Sequence, residues 1–213
     1  MTSNTQSYDN FSKTFSASRK SMKWPEMDYF MDFIKNKNIW NYKILDVWCG
    51  NGRLLNYLKQ FSLDKFYLWI DESVWMINEA KIEHPGHNFE VLDMTNLDKL
   101  DRSFDFIFFI ASFHHLKIQK ERQEVLQKTL KILNKGWFIF MTNWNLLSPS
   151  NLKKYQETSK WSQDFNIKIW DFFRFYHWFK IEELDNLFKK EWFKIIENRV
   201  FEWERNIISI LWK

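Results

Sequence analysis

Between residues 43 and 142 short apolar runs alternate with stretches of helical spacing. The first run is Ile44-Leu45-Asp46-Val47; a glycine-containing turn and the segment Leu54–Phe61 follow. That order reads as strand, turn and helix over 43–47 and 53–61. The same order then repeats. Strands are predicted at 66–70, ending on Asp71, at 89–92 ahead of Asp93-Met94, at 104–110 ahead of Ala111 and His114, and at 138–141. Helices are predicted at 74–82 and 119–133, and Pro85-Gly86 breaks the chain between the second and third strands. Strands alternating with helices predict a parallel sheet with right-handed crossovers. Ligands on such sheets bind at the carboxyl ends of the strands. Asp46, Asp71, Asp93, His114 and Asn143 all fall there.

The flanks differ from this core. Trp24-Pro25 opens a helix whose apolar face is Met27, Phe30, Met31 and Ile34. Residues 145–180 break the alternation and interleave Lys153, Lys154, Lys160, Lys168 and Arg174 with aromatic residues; they read as an insertion on the substrate side. A helix over 181–190 and strands at 193–196 and 206–211 would close a seven-stranded sheet with an antiparallel hairpin. The expectation is one domain over 1–213: an N-terminal arm and helix (1–39), a core (40–144), the insertion (145–180) and a C-terminal helix and hairpin (181–213).

Composition narrows the function. The one cysteine, Cys49, excludes an internal disulfide and a cysteine zinc cluster. Adjacent His114 and His115 cannot readily share a metal, so no metal is expected. No apolar run is long enough to span a bilayer, and the first ten residues lack an apolar signal core, so a cytoplasmic protein is expected. A net charge of +4 mildly favours a polyanionic partner.

The residue counts contain an anomaly. The chain has 13 Trp and 4 Gly, whereas glycine averages about 7% of residues. Trp48, Trp69 and Trp137 stand where the pattern expects glycine. UGA codons that the source genome reads as glycine would produce this pattern when translated as Trp. Trp24 and Trp144 stand where Trp is ordinary.

Chemistry gathers at the turn. Glycine there lets a ligand approach the backbone closely. Asp71, 19 residues after Gly52, is placed to accept from ribose hydroxyls. The series Asp46-x-Trp48-Cys49-Gly50-Asn51-Gly52, Asp71, Asp93-Met94, Ser103-Phe104-Asp105 and Lys135-Gly136-Trp137 resembles the class I S-adenosylmethionine-dependent methyltransferases. Their first motif reads D-x-G-x-G-x-G, from which Trp48 departs. The resemblance implies a Rossmann-like α/β fold with a seven-stranded, mostly parallel sheet and helices on both faces. It implies S-adenosylmethionine as cofactor, held by Asp46, Trp48, Cys49, Gly50, Gly52, Asp71, Glu72, Met76, Asp93, Met94 and Ala111.

The flanks add Tyr8-Asp9, Phe15-Ser16-x-Ser18-Arg19, Trp24-Pro25, Phe113-His114-His115-Leu116, Glu121-Arg122 and Arg174-Phe175-Tyr176-His177. These resemble the tRNA wobble-uridine carboxymethyl methyltransferases, with Ser18 and Phe175 replacing that family's Thr and Tyr. The resemblance implies tRNA as partner and methyl esterification of a carboxymethyl group. Eukaryotic members work with a small zinc-binding activator protein, a possible partner here. A carboxylate acceptor is ionised at neutral pH and needs no general base. It needs positioners, and Arg19, His114, Arg174 and His177 suit that role. The alternatives are a methyltransferase acting on a small-molecule acid or a protein, or a module impaired in cofactor binding if Trp48 is genuine.

Overall fold

The computed structural model describes residues 24–37, 42–63, 66–155, 163–169, 172–202 and 204–213. Arg19 and the motif residues before it lie outside them. Nine strands and six α-helices are found among the described residues. In chain order they are α1 (Pro25–Lys35), β1 (Ile44–Val47), α2 (Leu54–Gln60), β2 (Tyr67–Asp71), α3 (Val74–Glu83), β3 (Asn88–Val91), β4 (Phe104–Ile110), α4 (Gln119–Ile132) and β5 (Leu133–Trp144). They continue as α5 (Pro149–Tyr155), β6 (Asp164–Ile169), β7 (Phe172–His177), α6 (Ile181–Lys190), β8 (Lys194–Val200) and β9 (Asn206–Trp212).

Seven strands form one sheet in the order β3-β2-β1-β4-β5-β9-β8. β1 to β5 pair in parallel; β9 runs antiparallel to β5 and β8 antiparallel to β9. The sequence winds outward from β1 to β3 and then returns to β1's other side with β4. The crevice between the carboxyl ends of β1 and β4 is therefore the topological switch point, where sheets of this kind hold ligands.

The apolar runs are explained by burial on both faces. In β4, Ile107 and Phe109 face one core while Phe106 and Phe108 face the other. A strand covered on both sides has no polar face, so its run is continuous. One core is closed by Val125, Leu126 and Ile132 of α4 with Leu184, Leu187 and Phe188 of α6. The other is closed by Met27, Phe30, Met31 and Ile34 of α1 with Leu54, Leu55 and Leu58 of α2. Pro25 sits in the first turn of α1 with Glu26 and Asp28, and α3 is capped by Ser73 Oγ accepting from the Met76 amide.

Two expectations need correction. β5 begins at Leu133, directly after α4, and Gly136 turns within it at φ 89°. β8 is longer than the expected 193–196 and runs to Val200. The insertion also has order of its own: β6 and β7 form a separate antiparallel two-stranded sheet.

Candidate functional site

At the switch point lies a cleft of about 830 Å³. Its floor is the β1 turn. There residues 48, 50 and 52 are all left-handed, at φ 63°, 58° and 79°. The Cys49 amide donates to Ile70 O and the Gly52 amide to Cys49 O, which ties the turn to β2 and closes it on itself. Asp71 completes the floor. Its Oδ2 accepts from the Gly50 amide at 2.8 Å and its Oδ1 from the Ser73 amide at 2.9 Å. Each carboxylate oxygen keeps a lone pair beyond these bonds.

Burial pushes the Asp71 carboxyl up to about 6, against the pull of the two amides and of Arg174. Burial, and then the neighbouring Asp71, hold the Asp46 carboxyl well above the usual range, opposed by Arg53. Burial also pushes the Cys49 thiol well up, so it is no nucleophile.

The opposite wall comes from the segment after β4 and from β7. His115 Nδ1 donates to Phe175 O at 2.8 Å, leaving Nε2 to accept from Arg174 Nη2 at 2.9 Å. His114 Nδ1 accepts from the Trp144 amide at 3.2 Å, so its proton sits on Nε2, which has no hydrogen-bond partner among the described residues. Burial, then the Arg174 charge, lower His114 to about 3 and hold His115 well below its usual value. Both rings are neutral and weakly basic at neutral pH. Trp144 stacks on Tyr176 at 4.8 Å and on Tyr155 at 6.2 Å, giving this wall an aromatic lining.

Of the residues singled out from sequence, Asp46, Trp48, Cys49, Gly50, Asp71, Ala111, His114 and Arg174 line the cleft. The others do not. Gly52 faces away: a Cβ there would meet His84 and Phe89 at 3.1 Å, so glycine serves packing. Met76 and Met94 are core residues. Asp93 caps a turn, accepting from the Thr95 amide and hydroxyl at 2.7 Å. Glu72 follows Asp71 outside the cleft lining.

His177 is a correction of place. Its Nδ1 lies 2.6 Å from Asp164 and its Nε2 2.9 Å from Glu183, so it clamps the hairpin to α6 and touches no cleft space. Sequence reading did not single out Arg53 and Arg205, which also line the cleft; Asn51 of the turn and Lys154, Tyr155 and Tyr176 of the insertion line it with them. Arg53 stacks its guanidinium 3.8 Å from the Trp24 ring centroid, a contact that no spacing rule foretells.

The site fits a nucleoside-bearing cofactor on the Asp71 side. The carboxylate has acceptor capacity left, and Gly50 has nothing within 4 Å where a Cβ would stand. One side chain does not fit. The Trp48 indole lines the same space and lies 5.1 Å from the His115 ring.

Comparison with known proteins agrees with this geometry. Residues 44–136 match the methyltransferase domain family. An inferred methyltransferase of Encephalitozoon cuniculi is 26% identical over 196 residues, covering 90% of this chain and 87% of that protein. The tRNA (carboxymethyluridine(34)-5-O)-methyltransferase of Saccharomyces cerevisiae is 30% identical over 150 residues. That match covers 70% of this chain, which spans half the length of the yeast protein. Among solved structures, an S-adenosylmethionine-dependent methyltransferase from Clostridium acetobutylicum superposes with TM-score 0.73 at 16% identity, covering 96% of this chain and 98% of that one. A sugar methyltransferase with bound S-adenosylmethionine, CalS10 from Micromonospora echinaspora, gives 0.69 at 15% identity, covering 94% and 97%. With its switch-point cleft, its nucleoside-side carboxylate and a methyltransferase-domain match over residues 44–136, the chain has the fold of the S-adenosylmethionine-dependent methyltransferases and resembles them at the cofactor turn.

Proposed function

We propose that this methyltransferase esterifies a carboxylate, the carboxymethyl group on the wobble uridine of a tRNA. The observation that carries the reading is the chemistry of the acceptor wall. It offers a buried guanidinium, Arg174, and a neutral N–H donor, His114 Nε2, while both histidines are too weakly basic to deprotonate an acceptor. An alcohol or amine acceptor asks for a base at this wall; a carboxylate arrives ionised. The bound cofactor supplies an electrophilic methyl on a sulfonium. The chain's part is to hold the acceptor oxygen in line. Arg174 pairs with the carboxylate, kept in place by its bond to His115, and His114 Nε2–H donates to the second oxygen.

The tRNA half of the reading is supported by the yeast relative's name and by the wall's aromatic and cationic residues. Trp144, Tyr155 and Tyr176 can stack an extruded base, and Lys154 and Arg205 can meet phosphates. A small activator protein belongs to the same proposal. The test incubates the chain with methyl-labelled cofactor, bulk tRNA lacking the ester, and a metabolite pool. Base-labile label in tRNA supports the reading; label only in small acids or in protein refutes it. Repeating the assay with and without cell extract shows whether an activator is required.

A further inference from the structure

The misfit at position 48 has a counterpart elsewhere in the fold. Helix α6 ends in two hydrogen bonds, from the Trp192 amide to Lys189 O at 3.1 Å and from the Phe193 amide to Phe188 O at 3.0 Å. This nested pair defines a C-terminal cap whose linking residue is left-handed and usually glycine. Here that residue is Trp192, at φ 67° with 87% of its surface exposed. A bulky residue at positive φ is an outlier, because its Cβ crowds the backbone carbonyl.

All four glycines are left-handed, and so, among the described residues, are five others, two of them Trp. Ser62, Ala111 and Glu204 are the other three, so the conformation alone is not the argument. What distinguishes the tryptophans is where the indole goes. At 192 it is in solvent. At 48 it occupies space beside the backbone that a cofactor must approach. Position 48 also continues the alternation of left-handed residues at 50 and 52, both glycine. Trp69 differs: it is buried in β2 between Tyr67 and Phe89. Its backbone makes no demand for glycine.

We infer that positions 48 and 192 are glycine in the native protein, encoded by UGA codons that the source cell reads as glycine. The cofactor turn is then Asp-x-Gly-Cys-Gly-Asn-Gly, and α6 ends in an ordinary glycine cap. The inference does not depend on which acceptor is methylated.

Two measurements decide it. Peptide mass spectrometry of the protein from its native cell should give glycine at both positions, with UGA at both codons. Trp in either peptide, or UGG at either codon, overturns it. With recombinant protein, W192G should raise the melting temperature by about 2–4 °C, and W48G should tighten S-adenosylmethionine binding at least tenfold in calorimetry. A lower melting temperature for W192G, or unchanged affinity for W48G, contradicts the argument from backbone and space.

Discussion

Asp71 makes cofactor affinity and apo-protein stability move in opposite directions with pH. Its carboxyl is raised to about 6 in the folded chain from an ordinary 3.8, chiefly by burial. Ribose hydroxyls donate to the ionised form, so binding requires loss of the proton. With the transition near 6, about ten in eleven molecules are competent at pH 7 and about one in eleven at pH 5, a tenfold loss of affinity. Stability has the other sign. The folded state holds the proton more tightly than the unfolded one, so Asp71's contribution is fully present below pH 3.8 and is lost as pH rises through about 6. The difference amounts to about 3 kcal/mol. Calorimetric titration of S-adenosylmethionine from pH 5 to 8, paired with urea unfolding of the apo protein, measures both. D46N serves as control, because Asp46 is raised by the same burial. D71N should bind weakly at every pH, since an amide cannot accept from both the Gly50 and Ser73 amides. Affinity that stays flat down to pH 5 in the wild-type chain would refute the assignment of Asp71.

Other outcomes follow from the acceptor wall and its supports. R174K should lower turnover of the acceptor by about a hundredfold while leaving cofactor affinity within a few-fold, because Lys cannot reproduce the fork that a carboxylate matches; steady-state kinetics and calorimetry separate the two. H177A removes the two bonds by which His177 joins Asp164 and Glu183, both partly exposed, and should cost about 1–2 kcal/mol in urea unfolding, with the loss of activity following the loss of fold. Cys49 should resist alkylation in the native state and react on unfolding, as a buried thiol with a raised pKa does.

Much of the core was legible in the sequence because its signals are local. Strands β1, β2 and β4 ran apolar and reached Asp or Ala at their ends, so the alternation of strands and helices indicated a parallel sheet and placed Asp46, Asp71 and His114 at one edge. The insertion was not legible. Residues 164–177 form a hairpin: β6 alternates polar and apolar residues from Asp164 to Lys168, but β7 is mostly aromatic and hides its period, and the register Asp164–His177 to Lys168–Phe173 reveals the pairing. His177 was misplaced for a related reason. Arg174, Tyr176 and His177 are near neighbours in sequence, but the pleat sends successive side chains to opposite faces. Arg174 and Tyr176 enter the cleft while His177 turns to α6. Asp93 illustrates a different limit: an Asp after a strand suits a ligand or a turn equally, and Thr95 decides for the turn.

The two strands of the hairpin that carries Arg174 and Tyr176 pair with each other, in a sheet separate from the seven-stranded one. A lineage can therefore retarget this enzyme by exchanging one short cassette, without disturbing the strands that grip the methyl donor. Chimeras made at residues 163 and 178 would inherit the donor's acceptor preference and keep the host's cofactor affinity.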